Sequence, residues 1–389
     1  MPEPLAPWPH YAEDEIAAAT AVLASGKVNY WTGTEGRAFE REFAAACGTT
    51  FAVALANGTL ALELALRALE IGPGDEVVVP PRSFFATAGA VVVVGATPVF
   101  ADLDPDSQNL TADTIAAVLT PRTRAVIVVH LAGWPADMDA IGALARSRGL
   151  KVIEDCAQAH GATWRGRPVG GLGDIAAWSF CQDKILSTGG EGGMVTTSDP
   201  ELWRRAWSYK DHGKDWDAVH RAHPPGFRWL HESFGSNWRL TEPQSAIGRV
   251  QLRKLPAWIA ARRAHAAVLD AALADLPAVR VPVPAGAAGH AYYKYYCFIR
   301  PDRLRPGWDR DRVMREVEAL GVPCGVGACP AIWREAAFAR ASIAPPGPLP
   351  VAEALGMTSL MLQVHPTLDA AAIGRTAATL RRVLEQASA

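Results

Sequence analysis

The chain has 389 residues, 49% of them hydrophobic, so it can bury a sizeable core, and the usual size of a folding unit favours two or three units over one. Its 38 basic and 40 acidic side chains leave a net charge of −2 with no Lys/Arg block, which argues against nucleic acid or an anionic membrane as a partner. The opening Met1-Pro2-Glu3-Pro4-Leu5 lacks a basic segment followed by an apolar one, and the most apolar window, Ala86 to Phe100, is too short to span a bilayer, so neither a secretory signal nor a membrane span is expected.

Six cysteines (Cys47, Cys156, Cys181, Cys297, Cys324, Cys329) are scattered, with no Cys-x-x-Cys and no histidine at a matching distance. Zinc ligation is therefore a poor reading, and reduced thiols in a cytoplasmic protein are expected.

In chain order, Glu13 to Leu23 and Arg37 to Cys47 read as amphipathic helices, the second with Phe39, Phe43 and Ala46 at helical spacing. Val28 to Gly33, between them, is a turn-rich aromatic loop that fits either a surface turn with buried rings or part of a substrate mouth. A βα rhythm follows. Strands are expected at Phe51 to Leu55, Glu76 to Val79, Pro98 to Ala101, Ala125 to Val129 and Lys151 to Asp155. Helices are expected from Asn57-Gly58-Thr59 to Leu69, from about Phe84, at Ala112 to Leu119 and at Met138 to Arg148. Strands alternating with helices of this length predict a mostly parallel sheet with right-handed crossovers.

The rhythm stops near Pro200. After a helix at Leu202 to Tyr209, the polar and aromatic segment Lys210 to Trp238 carries His212, His220, His223 and His231; so long a loop in a compact unit is usually functional or disordered, and its aromatic content argues for order, against a partner subunit. A helical pattern runs from Glu242 to Leu273, where Pro256 should kink it or divide it in two. From Val279 a smaller α+β unit is expected, with a strand at Tyr292 to Ile299 and helices at Arg310 to Leu320 and Asp369 to Gln386. The division drawn is a large unit over 1–250 and a small one over 251–389.

The chemistry concentrates between Val152 and Val195. Val152-Ile153-Glu154-Asp155 and Ile175-Ala176-Ala177-Trp178-Ser179 are apolar runs that end in polar residues, which in an open α/β sheet is where strands deliver chemistry to the crevice at their carboxyl ends. One run delivers Asp155 and the other leads to Lys184. An aspartate and a lysine so placed are what pyridoxal phosphate needs: the lysine joins its aldehyde, and the carboxylate keeps the ring nitrogen protonated. The Gly189-Gly190-Glu191-Gly192-Gly193 run does not follow a strand and open a helix, so a dinucleotide loop is rejected in favour of a tight turn past the lysine. His130, His160, His290 and His365 read as interior or surface histidines, and no spacing makes a metal site.

These motifs, with Asn57-Gly58-Thr59, Glu154 to Gln158, Ser179 with Lys184, and Asn237-Trp238-Arg239-Leu240-Thr241-Glu242, occur in one order, and the chain resembles the nucleotide-sugar aminotransferases of fold type I, the DegT/StrS family, over nearly its full length. The resemblance implies an α/β fold type I pyridoxal-phosphate-dependent transferase, with a mostly parallel central sheet, flanking helices and a smaller C-terminal α+β domain. It implies that Lys184 is the Schiff-base lysine and proton carrier, that Asp155 pairs with the pyridine nitrogen, and that Gln158 hydrogen-bonds the ring hydroxyl. Phe84 would stack on the ring, as far as any single phenylalanine can be separated from core packing. Gly58, Thr59 and Ser179 would hold the phosphate, although a plain helix start with Asn57 as N-cap would look the same locally. Asn237 would reach the phosphate of the neighbouring subunit, implying a homodimer with shared active sites.

The activity so implied is transfer of an amino group, with glutamate as donor, to a nucleotide-linked keto-sugar for a surface glycan such as lipopolysaccharide or for a natural product. Rivals on the same fold are a sugar dehydratase, in which a histidine replaces the lysine, and an aminocyclitol or aminobenzoate-type synthase with the same cofactor residues; a non-catalytic regulatory protein is a third. One departure from the usual family wording is Cys181-Gln182-Asp183. A carboxylate facing Lys184 would favour the ammonium form and oppose its activation, so Asp183 is expected to point away.

Overall fold

In the computed structural model of the chain, residues 5–389 are described; Met1 to Pro4, on which the expectation of no secretory leader partly rests, lie outside them. The strands are β1 (Phe51–Leu55), β2 (Glu76–Val79), β3 (Thr97–Phe100), β4 (Thr123–Val129), β5 (Lys151–Asp155), β6 (Thr163–Trp164), β7 (Arg167–Pro168), β8 (Ile175–Ser179) and β9 (Gly193–Thr197). After a helical stretch come β10 (Val279–Arg280), β11 (Ala288–Gly289), β12 (Tyr295–Ile299), β13 (Cys324–Gly325) and β14 (Ser359–Leu362).

The central sheet has the order β1-β9-β8-β5-β4-β2-β3. From β3 through β8 the pairings are parallel, while β9 runs against both β8 and β1. Continuous apolar runs explain the placement: every residue of β2, β8 and β9 is buried, as expected of strands covered by helices on both faces. The expected strands at β1, β2 and β5 are found with the same bounds, and those at β3 and β4 begin one and two residues earlier.

A second, antiparallel sheet, β10-β12-β14-β13, forms the C-terminal α+β layer with the helices Arg310–Ala319 and Ala370–Ala387. The small sheet β11-β6-β7 ties the segment before β12 back to the loop after β5. Among the described residues no helix is long and apolar enough to cross a membrane.

The helix Glu242–Leu273 is continuous through Pro256, so the expected division there is not seen, and residue 250 lies within it. Proline removes one intrahelical bond, at a cost of about 3 kcal/mol. Packing on both sides of Pro256 outweighs that: the helix lies against Glu13–Ser25 and Glu35–Cys47 at one end and against Ala370–Ala387 at the other. Its first residue is a tie in its own right, since the buried Glu242 carboxylate accepts the N–H groups of Glu35 (2.6 Å) and Gly36 (3.0 Å) at the start of the Glu35–Cys47 helix.

β5 closes on two adjacent carboxylates, which strand geometry sends to opposite faces. Glu154 is completely buried and fully engaged: Oε1 accepts Leu172 and Gly173 N–H at 2.7 Å each, and Oε2 accepts Gly170 N–H at 2.9 Å and lies 3.0 Å from His130 Nε2. Burial alone would raise its pKa. The His130 hydrogen bond and charge, with the N–H groups of Gly170 and Gly173, outweigh that and hold it below the ordinary glutamate value of 4.5. His130 Nδ1 in turn accepts Ala136 N–H, so Glu154 joins β4, β5 and the loop before β8.

Replacing Glu154 by Gln puts an amide donor among these donors and should cost on the order of 3 kcal/mol, read as a lower midpoint of urea unfolding. A depressed folded-state pKa contributes stability that is full above the unfolded value and is lost as pH falls through the folded one. The wild-type advantage should therefore persist at neutral pH and shrink below about pH 4.5.

Candidate active site

The carboxyl ends of β5 and β8, the start of the Gly58–Ala68 helix and the turn before the Ala86–Val93 helix enclose a cavity of about 520 Å³, a size that suits a small ligand. It is lined by Gly58, Thr59, Phe84, Asp155, Gln158, Ser179 and Lys184, so seven of the eight residues singled out in the sequence meet in one place. Asn237 does not line it. It lies on the segment after Lys210, bridged to Asp211.

The anion end is built at the helix start. Asn57 caps the helix, its Oδ1 accepting Leu60 N–H at 2.9 Å and its carbonyl accepting Ala61 N–H at 3.1 Å. The N–H groups of Gly58 and Thr59 are left for whatever fills the cavity, where the helix dipole favours an anion. The capping and binding readings of this stretch are thus compatible. Glycine is required at 58 because a Cβ there would sit 2.5 Å from the Cβ of Ser179. That contact brings the helix start against the end of β8.

At the other end lies Asp155, buried at 5% exposure. Its Oδ2 accepts the Thr87 hydroxyl at 2.9 Å and its Oδ1 accepts Ala157 N–H at 3.2 Å. Thr87 spends its one proton on Asp155, so the Ser83 hydroxyl 2.9 Å away donates to Thr87. Burial pushes the Asp155 carboxyl upward. The Ala157 N–H, the Thr87 hydroxyl and the charges of Lys184 and His130 offset this only in part. Among the described residues no cationic side chain comes within 4 Å of it, so the site has a buried anion in want of a cation.

Gln158 turns its carbonyl to the protein, accepting Ala132 N–H at 2.8 Å, and this leaves its NH₂ as a donor in the cavity. Phe84 lines the cavity and is 67% exposed in the single chain. Ser179 Oγ accepts Cys181 N–H at 3.3 Å.

Lys184 projects into the same space from the turn after β8, which Gly189 (φ 86°) and Gly190 (φ 122°) carry back toward β9 as expected for this glycine run. Its backbone is held from the chain's beginning: Trp8 Nε1 donates to the Lys184 carbonyl at 2.9 Å, and the Tyr11 hydroxyl accepts Gly189 N–H at 3.2 Å and meets Ser187 Oγ at 2.8 Å. The Lys184 ammonium sits 4.9 Å from the centre of the Tyr293 ring.

Asp183 corrects an expectation. It lines the cavity, with Oδ1 3.8 Å from Lys184 Nζ, and the Tyr293 hydroxyl donates to its Oδ2. The carboxylate is turned toward the lysine because a partner 110 residues away in the sequence holds it there.

Thr87, Trp8 and Glu191, the last also lining the cavity, were not singled out from the sequence, and Tyr293 reads there only as a sugar or nucleotide contact or a half-buried strand residue. Thr87 alone had a local signal, lying three residues after Phe84 in the turn that opens a helix. The others act over distances of 100 residues or more or across the glycine run. The cluster of His130, Glu154 and Cys156 has ligand-like spacing, but the imidazole and carboxylate are committed to the hydrogen bonds described above.

A lysine, a buried carboxylate without a cation and an anion-binding helix start, gathered at the strand ends of an α/β sheet, define a cofactor-dependent transferase. The sequence pattern of the DegT/DnrJ/EryC1/StrS aminotransferase family matches residues 9–381. A UDP-N-acetyl-3-dehydro-α-D-glucosamine 3-aminotransferase from Acidithiobacillus ferrooxidans is 40% identical over 377 residues, covering 96% of each chain. A dTDP-3-amino-3,4,6-trideoxy-α-D-glucose transaminase from Streptomyces venezuelae is 39% identical, covering 91% of this chain and 87% of that one. The crystal structure of an aminotransferase from Psychrobacter cryohalolentis superposes with a TM-score of 0.97 at 52% identity, covering 99% of this chain and 100% of the other. The chain belongs to the DegT/DnrJ/EryC1/StrS aminotransferase family, and it is a pyridoxal-phosphate-dependent enzyme of fold type I.

The residues present fit that cofactor. A protonated ring nitrogen would supply the cation Asp155 lacks, and the free N–H groups of Gly58 and Thr59 would meet the phosphate. Gly58→Ala should force the helix start away from Ser179 and weaken binding of pyridoxal phosphate by about tenfold or more, measured by fluorescence titration of the apoprotein.

Proposed function

We propose that the chain moves an amino group from glutamate to the keto group of a nucleotide-linked sugar, making an amino sugar for a surface glycan such as lipopolysaccharide or for a natural product. The observation that carries the transfer chemistry is Asp155, a buried carboxylate short of a cation, in one cavity with Lys184. The sugar substrate is supported by two relatives of about 40% identity whose names state aminotransfer to UDP- and dTDP-linked sugars.

When bound, pyridoxal phosphate supplies an electron sink and a carrier for the amino group. The protein's part is binding, aiming and proton transfer. Asp155, held by Thr87 and Ser83, would keep the ring nitrogen protonated. Gln158 would offer its NH₂ to the ring hydroxyl, and Phe84 would lie against the ring. Gly58, Thr59 and Ser179 would hold the phosphate. Lys184 Nζ would anchor the cofactor and, when free, would serve as the base that carries the proton moved in the transfer.

The same proposal includes a homodimer with shared active sites in the cytoplasm. Asn237 lies outside its own chain's cavity and Phe84 is left largely exposed, both of which suit a neighbour that completes the site. All six cysteines are free, in keeping with a reducing compartment. Division into a cofactor-binding unit over 1–250 and a smaller unit over 251–389 would leave the catalytic residues in the first. The dehydratase reading requires a histidine where this chain has Lys184.

The holoenzyme should show a visible absorption band from the cofactor joined to Lys184. Lys184→Ala should abolish it and reduce transamination by about a thousandfold or more. Glutamate should convert the bound cofactor to its amino form, which nucleotide-linked 3-keto or 4-keto sugars should then reverse. A protein that gives no band with added pyridoxal phosphate, or whose bound cofactor no amine donor converts, would refute the assignment.

A further inference from the structure

The transfer derived above leaves the inward-facing Asp183 without a task. Its position is not an accident of a mobile surface side chain, since the Tyr293 hydroxyl fixes one oxygen while the other lies 3.8 Å from Lys184 Nζ. Tyr293 is well suited to the part: it is buried, and burial and then the Asp183 charge push its hydroxyl well above the usual tyrosine range, so it keeps its proton and can only donate to the carboxylate. The same ring offers its face to the lysine. Asp183, Lys184 and Tyr293 thus form a closed set in which each side chain limits the movement of the other two.

We infer that Asp183, held by Tyr293, is the counter-ion of Lys184: a positioning residue that keeps the lysine nitrogen aimed at the cavity and stabilises a proton on it. The inference rests on the cofactor reading given above. When the lysine nitrogen is joined to the cofactor's aldehyde carbon, a proton on that nitrogen makes the carbon a better acceptor of the donor amine. A fixed carboxylate beside it extends the pH range over which this form persists.

The other groups around Lys184 do not duplicate this role. On its own segment the Cys181 thiol, pushed up by burial, stays neutral and lies 3.7 Å from Glu191. From the β5 side, Asp155 accepts Thr87 and Ala157 and would face the ring nitrogen, and His160 is buried and lowered to about 3 by that burial, so it is neutral. From the segment before β12 come the neutral Tyr293 and the half-buried Lys294, whose Nζ lies 4.9 Å from the centre of the Tyr293 ring; burial pushes its pKa down, and the Asp183 charge offsets this in part. Asp183 therefore acts on both lysines, but among the described residues only Lys184 lies within 4 Å of it, at 3.8 Å.

The test is a titration of the holoenzyme's visible band between about pH 5 and pH 10, because the position of that band reports the proton on the lysine nitrogen. Removing an opposite charge at this distance should lower the midpoint in Asp183→Asn by about one pH unit, the lower end of the usual range because Asp183 is half exposed. Asp183→Glu, which keeps the charge, should stay near the wild-type midpoint. Tyr293→Phe, which only releases Asp183, should move it part of the way, and the double variant Asp183→Asn with Tyr293→Phe should move it no further than Asp183→Asn alone. An unmoved midpoint on an intact band, or a Tyr293→Phe shift that adds in full to that of Asp183→Asn, overturns the role of Asp183 and leaves the cofactor site standing.

Discussion

The last two residues of β5 are the constraint on which the rest of the structure turns. A strand alternates its side chains, so consecutive Glu154 and Asp155 bury two carboxylates on opposite faces of the same sheet. Four hydrogen-bonding partners meet Glu154 and spend its charge on architecture. Asp155 receives two, one from a threonine and one from a backbone N–H, and keeps a deficit. The deficit suits the cavity to a cationic group, since a cation placed beside Asp155 would relieve the burial of a carboxylate that the fold leaves without one. A symmetrical pair, both satisfied, would have made a more stable sheet end with nothing to offer a ligand.

Around that strand end the fold acts through close backbone approach. Gly58 lets a helix start touch β8, which puts anion-binding N–H groups on the same cavity as Asp155. The turn carrying Lys184 is held from three directions: by Trp8 and Tyr11 near the chain's beginning, by Gln251, whose side-chain oxygen accepts Ser187 N–H at 2.9 Å, and by the return into β9. Lysine is a flexible side chain with considerable rotamer entropy. Fixing its backbone and flanking its head with Tyr293 and Asp183 removes much of that freedom before any substrate binds, so less remains to be lost in the reacting geometry.

What the sequence made legible was what depends on neighbours along the chain. Apolar runs gave the strands of the central sheet, and the Asn57, Asp137 and Asp369 caps agree with the helix starts expected there. The motif order gathered seven of the eight chosen residues into one cavity. Features set by tertiary packing were not legible. Pro256 lies in an unbroken helix because layers on both sides support it, and Tyr292 adopts φ 49° where a strand was expected, because Ala291 and Tyr293 N–H bond to the carbonyls of Gly133 and Ala132. The antiparallel direction of β9, the helix Pro350–Thr358 and the pairing of β13 with β14 likewise have no local signature strong enough to specify them.

Asp183 shows where the division lies. Its neighbour in sequence, Lys184, needs a readily deprotonated amine, which favours a carboxylate turned away as long as the two residues are taken as an isolated pair. The bend that begins at Tyr292 brings Tyr293 over both residues, supplying a hydroxyl to the acid and a ring face to the base. The bend exists because its backbone is bonded to residues 132 and 133, beside Gln158 and the end of β4. The same irregular backbone that defeated the strand assignment therefore determines which way the carboxylate faces. One packing event changes both the local structure and the local chemistry.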